Sequence, residues 1–472
     1  MYLSTDEQAV IDGTAKVATE TQTTHGPLNL DLGTTYYWRV DEVNEAETPT
    51  TWQGDFWNLS TQEYLVVDDF ESYNDIPAGE EGSNLVYVVW KDGFDNPSVN
   101  GSTIGYTEAF QPSMETLIFN DGKQSVPIFY DNTVAAHSEV TVNVTDLQAS
   151  RDWSKHGIKA LTLQFYGDPN NSVNEQMYVK LNGSKVTYDG DAENLKGIGW
   201  QMWYIDLASI SVSLSNITEL SIGFERIGAF GGQGVVYLDG IRLYSYDRQV
   251  ITPADPGTTG LQAHYEFEGT YNDSSGNARH GIGMGNPTFA AGKVGQAVNL
   301  RGLNDYVEIT GYKGVLGPNA FSITTWIKTM YIGDDPQEIV YYGTHSSGQR
   351  CEFRVHTNGH IRMGNGAGQV ESLIAVTDGG WHHVAATVQE NATNSSSDVR
   401  IYLDGQDNTQ ESTDPDAFNL VADWDVTIGY RPSQNDRFFM GEIDDVRIYD
   451  RALSQEEIAW LAGRIRAFDK PF

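Results

Sequence analysis

The stretch "GEIDDVRIYDRAL" (residues 441–453) decides how the C-terminal part of this chain is read. Val446 and Ile448 alternate with Asp445 and Arg447, the pattern of a strand with one buried face. An earlier stretch, "LDGIRLY" (238–244), repeats the order of "IDDVRIY" (443–449): apolar, Asp, small or acidic, β-branched, Arg, aliphatic, Tyr. Two separately built β-sandwiches each need a last strand, and both stretches are read as that strand. Strand alternation places each Asp on the face of the aliphatic residues two and four positions on, so Asp239 and Asp444 are expected at a core rim.

Composition supports this reading. The 472 residues include 48 Gly, 25 Tyr and 11 Trp, and long helical patterns are few. An all-β chain of several domains is expected. Against 65 acidic residues stand 29 basic ones, a formal charge of −36 that repels nucleic acid and anionic membranes. Cys351 is the single cysteine, so neither an intrachain disulfide nor a thiolate cluster is available. No apolar run is long enough to span a bilayer, so no membrane insertion is expected.

Residues 1–62 contain "TTYYWRVDEVN" (34–44) and "GDFWNLST" (54–61). They resemble the last strands of a fibronectin type III sandwich, which implies a partial domain within a larger parent protein. Residues 63–248 alternate short apolar segments with Gly, Asn and Asp turns, among them "KALTLQFYG" (159–167) and "WQMWYIDL" (200–207). This grammar resembles jelly-roll carbohydrate-binding modules of galactose-binding-like fold. "RQVITPADPGTTG" (248–260) reads as a linker, assigned to residues 249–260. Residues 261–464 carry "GQAVNLRGLNDYVEI", "FSITTWIKT", "GGWHHVAATV" and "VRIYLDGQ" in order. That series resembles the laminin G-like, concanavalin A-like lectin/glucanase jelly rolls, leaving 465–472 as a tail. Ser454 and Glu457 predict a capped helix beside the last strand. The expected architecture is therefore tandem β-sandwiches behind a partial fibronectin type III-like segment.

The opening stretch also resembles the catalytic strand of laminarinase-type glycosidases, with Glu442 and Asp444 as the first two acids. The third, the proton donor, falls at Val446 or Arg447, and neither can donate a proton there. No catalytic residue is assigned. The resemblances imply a structural calcium held by oxygen ligands, for which Asp69, Glu71, Asp239, Asp273, Asp444 and Asp445 are the candidates. An Asp beside a turn can instead accept backbone amides, and that alternative stays open.

Sugars are held by flat rings and by polar side chains around them. The candidates here are Trp90, Trp153, Trp203, Tyr342, Arg350 and Trp424, with Trp90 and Trp424 preferred as exposed rings. The expected function is extracellular or cell-surface binding of a polysaccharide or glycoprotein glycan without catalysis. Two alternatives stand beside it. One is a glycan-cleaving hydrolase or lyase using carboxylates such as Asp68, Glu71, Glu115, Glu139 or Asp168; the other is a structural adhesion protein.

Overall fold

The computed structural model describes residues 1–108 and 112–471. It divides into a unit of Met1–Gln249 with Pro471, and a unit of Val250–Lys470. Both are built almost wholly of antiparallel strands, as the alternating segments predict.

In the first unit, Gln233–Tyr244 is a long strand flanked by three others: Ala160–Tyr166, Val126–Asp131 and Tyr64–Asp68. Trp200–Asp206 and Ser102–Ile104 complete this six-stranded sheet. A second sheet runs Ser184–Thr187, Glu175–Leu181, Glu219–Arg226, His137–Asn143. The core lies between them, with Leu161, Leu163, Phe165, Leu238 and Ile241 facing Val140, Val179, Ile222 and Phe224. Tyr130 stacks on Phe224 across the layers at 4.7 Å.

The N-terminal segment forms its own small sheet from Tyr2–Ser4, Thr35–Arg39 and Phe56–Ser60. Leu32 leaves that segment to join the jelly-roll core. Its amide donates to the His156 carbonyl at 3.2 Å. Residues 1–62 are thus packed into the same compact unit as the jelly roll.

The second unit repeats the plan on a larger scale. Met440–Tyr449 pairs with Leu261–Tyr265, Gln296–Arg301 and Phe321–Lys328. His382–Val388 and Val399–Leu403 extend that eight-stranded sheet, and a seven-stranded sheet faces it. Val250–Ile251, in the expected linker, pairs with Phe468–Asp469 in the expected tail. The helix Gln455–Leu461 has the full capping box, Ser454 accepting the Glu457 amide and Glu457 accepting the Ser454 amide. Ile458 and Leu461 dock it on Tyr402, Ala385 and Tyr449.

The faces of the two long strands correct the alternation argument. Asp239 does not share a face with Ile241 and Leu243, nor Asp444 with Val446 and Ile448. All four aliphatic residues are core, whereas each Asp points out of the sandwich. The cause is a bulge one residue after each Asp: Gly240 at φ +52° and Asp445 at φ +50°. An extra residue on one strand shifts every later side chain to the opposite face.

Gly240 is free of Cβ strain in this left-handed conformation, and a Cβ there would also meet Gln164 Oε1 at 2.7 Å. Gly240→Ala should therefore destabilise the first unit by about 1–2 kcal/mol. Gly199→Ala, with open space around its Cβ, should shift the unfolding free energy by no more than about 0.5 kcal/mol. Chemical denaturation of both variants measures the contrast.

Candidate glycan-binding face and closing-strand carboxylates

Because Leu163, Phe165, Trp203 and Leu238 take the inner face of the six-stranded sheet, their neighbours along each strand must point out. Several of the outward positions on these strands are aromatic. Trp200, Tyr166 and Tyr237 stand in register on three adjacent strands. Their ring centroids are 5.6 and 6.2 Å apart, the planes tilted by 60° and 74°. Phe129, on the next strand, meets Tyr106 edge-on at 5.8 Å. Tyr237 is buried, and the other four rings are half-buried, so the accessible ring area is theirs.

Polar groups edge this row. The Tyr106 hydroxyl donates to Glu115 at 2.5 Å, and the Asn120 amide donates to Gln164 at 2.9 Å. Asp168, Asn170 and Gln233 join Phe129 and Thr103 around a cavity of about 390 Å³. Burial pushes the Glu115 carboxyl up, but Tyr106 and the amides of Leu117, Ile118 and Thr116 outweigh it. The carboxyl is held below its ordinary range and stays a hydrogen-bond acceptor.

In the second unit the closing strand sets Asp444 beside Trp326, and Trp326 pairs in turn with His383. Asp444 Oδ2 accepts the Val294 amide at 2.9 Å. Burial pushes this carboxyl up to about 6. Asp445, on the bulge, is held by His264 at 2.5 Å and by Arg447 at 3.2 Å. Glu442 has Lys328 at 4.0 Å as its ion partner. Val446 is core, and Arg447 is committed to Asp445.

Residues 301–459 match the concanavalin A-like lectin/glucanases superfamily. The second unit is a laminin G-like jelly roll of that kind. No curated protein matches the chain. Among solved structures, one similar chain is domain 4 of a GH43 extracellular arabinanase from Geobacillus stearothermophilus, in complex with arabinotriose. It is 23% identical, over 43% of this chain and 98% of that one, with a TM-score of 0.34. The binding domain of Paraclostridial Mosquitocidal Protein 1 is 15% identical over 43% of this chain, TM-score 0.33. The botulinum neurotoxin serotype D ligand binding domain, solved with N-acetylneuraminic acid, is 15% identical over 44% of this chain, TM-score 0.33. The chain covers 52% and 51% of these two toxin chains, about half of each.

Within the concanavalin A-like unit, Trp424 is 39% exposed. It and Arg350 both pair with Gly343, which brings these two expected residues to neighbouring positions with no side chain between them. Arg350 donates to Glu352 at 3.0 Å. Tyr342 is fully buried in the core, which corrects its expected role.

The other expected rings need the same correction. Trp90, Trp153 and Trp203 are each 1% exposed and cannot stack on a sugar. Trp90 packs on Phe70, and its ring N–H donates to Asp68 at 2.9 Å. Tyr73 and the Phe70 amide complete the shell of that buried Asp68, which is structural. Trp153 donates to the Ser150 carbonyl, and Trp203 meets Tyr188 inside the sandwich. Tyr166, Phe129 and Tyr237 are the residues the sequence reading passed over. Strand alternation from the buried Phe165, Ile128 and Leu238 was the signal that could have found them.

The expected calcium ligands face hydrogen-bond donors. Asp69 accepts the Glu71 amide and the Gln148 side chain. Glu71 accepts the amides of Lys123 and Gln124. Asp239 accepts those of Asn120 and Asp121. Asp273 accepts three more, from His264, Ser275 and Arg279. Among the described residues no group of three or more His, Cys, Asp or Glu side chains is gathered to hold a metal ion. Of the other carboxylates, Glu139 is tied to Tyr178 and Lys180.

Tyr106→Phe should raise the Glu115 pKa toward the ordinary carboxylate value, because it removes the leading hydrogen bond on the ionised form. The stability that Glu115 contributes is present above its unfolded pKa and is lost as pH falls through the folded one. The variant should move that loss to higher pH. Carboxyl NMR titration reads the shift directly.

Proposed function

We propose that the chain binds an extended glycan, without cleaving it, across the aromatic row of its first unit. The observation that carries this reading is the placement of Trp200, Tyr166 and Tyr237 on three adjacent strands of one open face. Strands lie about 4.8 Å apart, so Trp200 and Tyr166 can meet neighbouring sugar residues of a chain lying across them, with the buried Tyr237 packed beside Tyr166. Tilted rings give separate stacking surfaces, while Glu115, Gln164, Asn120 and Asn170 supply polar groups for hydroxyls.

Cleavage would call for a protonated and an ionised carboxyl flanking one bond. Glu115 is held on the ionised side. Asp239, the acid on this face pushed up by burial, is 1% exposed beneath the amides of Asn120 and Asp121. The proposed setting is extracellular, with this chain as one part of a larger protein that it helps to hold on polysaccharide. No helix of the described residues is long and apolar enough to cross a membrane.

The test is affinity electrophoresis against a panel of soluble polysaccharides, with reducing ends assayed in parallel. Retention without new reducing ends is expected. Trp200→Ala and Tyr166→Ala should each weaken the retained interaction about tenfold, roughly 1.4 kcal/mol. Trp424→Ala, in the other unit, should leave it unchanged. Retention lost only in Trp424→Ala would move the site to the concanavalin A-like unit, and released ends would replace binding with hydrolysis or elimination.

A further inference from the structure

A second cavity, of about 450 Å³, opens on the outer face of the eight-stranded sheet in the concanavalin A-like unit. Glu266, Glu268, Lys293, Trp326, Asp444 and Asp445 stand in its wall. Three features of this wall point the same way. The first is an acidic excess, since Asp445 is already answered by His264 and Arg447. Among the described residues Glu268 accepts only the Gln296 amide, and Glu266 lies exposed. The second is Asp444 itself. It is 0% exposed, and its Oδ1 has no hydrogen-bond partner among the described residues. An unanswered oxygen in a buried carboxyl is an unstable arrangement that a donor entering the cavity relieves.

The third feature is Trp326. The ammonium of the exposed Lys293 rests over its ring, 4.5 Å from the centroid. A cation is therefore already accommodated where a ring face and the carboxylates come together. Among the described residues the Lys293 ammonium has no ion pair or hydrogen bond, so a ligand ammonium can take its place on the ring.

We propose that this cavity binds the protonated amine of an amino-sugar unit. The ammonium takes the place of the Lys293 side chain on Trp326 and donates to Asp444 Oδ1, while Glu268 and Glu266 neutralise it from the rim. The sugar frame rests on the glycan reading above; the amine is argued from this cavity alone. Charge-assisted hydrogen bonds of this kind are stronger than neutral ones, so an N-acetylated sugar loses both the charge and the site.

Isothermal titration calorimetry on the full chain, with a β-linked glucosamine trimer, tests this. Saturable binding is expected, with the fully N-acetylated trimer at least tenfold weaker. Asp444→Asn and, at the exposed rim, Glu268→Gln should each weaken the glucosamine trimer severalfold or more, with thermal unfolding confirming that both fold. Lys293→Ala should tighten it, since the competing cation is gone. Equal binding of the two trimers, no binding of either, or unchanged or weaker binding by Lys293→Ala overturns the proposal. Tighter binding of trilysine than of the glucosamine trimer also overturns it, in favour of a peptide ligand. Trp200→Ala should leave this titration unaltered. A chain that takes the glucosamine trimer but retains no polysaccharide would sink the aromatic-row reading and leave this one standing.

Discussion

Backbone amides donated to an aspartate just ahead of a bulge hold the longest strand of each unit in place. In the first unit the amides of Asn120 and Asp121 reach Asp239; in the second, that of Val294 reaches Asp444. Each of these strands pairs with three others, so its register propagates through the sheet. The bulge is what makes the arrangement possible. Without it, regular alternation would carry each Asp to the face of Ile241 or Val446, where an unpaired carboxyl faces an apolar core at large cost. With it, both carboxyls stay buried but on the polar side, and burial still pushes each above its ordinary pKa.

That displacement also shapes the two surfaces proposed for binding. Moving Asp239 outward aligns Tyr237 with Tyr166 and Trp200 rather than with the core. Moving Asp444 outward sets it beside Trp326 at the cavity wall. The left-handed residue differs between the two strands, Gly240 in one and Asp445 in the other. Glycine enters that conformation freely. Asp445 is held there by His264 and Arg447, two strong partners that a glycine would lack.

Much of this architecture is legible in the sequence, and the reasons are physical. The period-two runs around Leu163 and Ile222 mark strands, and the Ser454–Glu457 pair marks the helix start, because both signals are local. The repeat between "LDGIRLY" and "IDDVRIY" is local too, and it located both hub strands. What stayed hidden depends on distant partners. Nothing near Trp90 announces that Asp68, 22 residues earlier, accepts its ring N–H. Nothing near Asp445 announces a bulge, since the letters that usually signal one are Gly or Asn. With strongly apolar residues on both faces, the spacing of Trp200 and Trp203 separates the two rings but does not say which one faces solvent. Only the pairing of Trp203 with Leu163, itself core, decides it.

The same motif therefore yields two different surfaces, and the difference lies in the loops that cross it. Two amides converge on Asp239 and cover it, so its neighbourhood is closed and the accessible features of that face are the rings beyond it. The Val294 amide reaches Asp444 Oδ2, and the helix Gln455–Leu461 docks on Tyr402 and Tyr449. One carboxyl oxygen is left without a donor at the edge of an acidic cavity. A face of tilted aromatic rings suits the uncharged surface of a sugar, whereas a buried carboxyl short of one hydrogen bond suits a ligand that brings its own proton and charge.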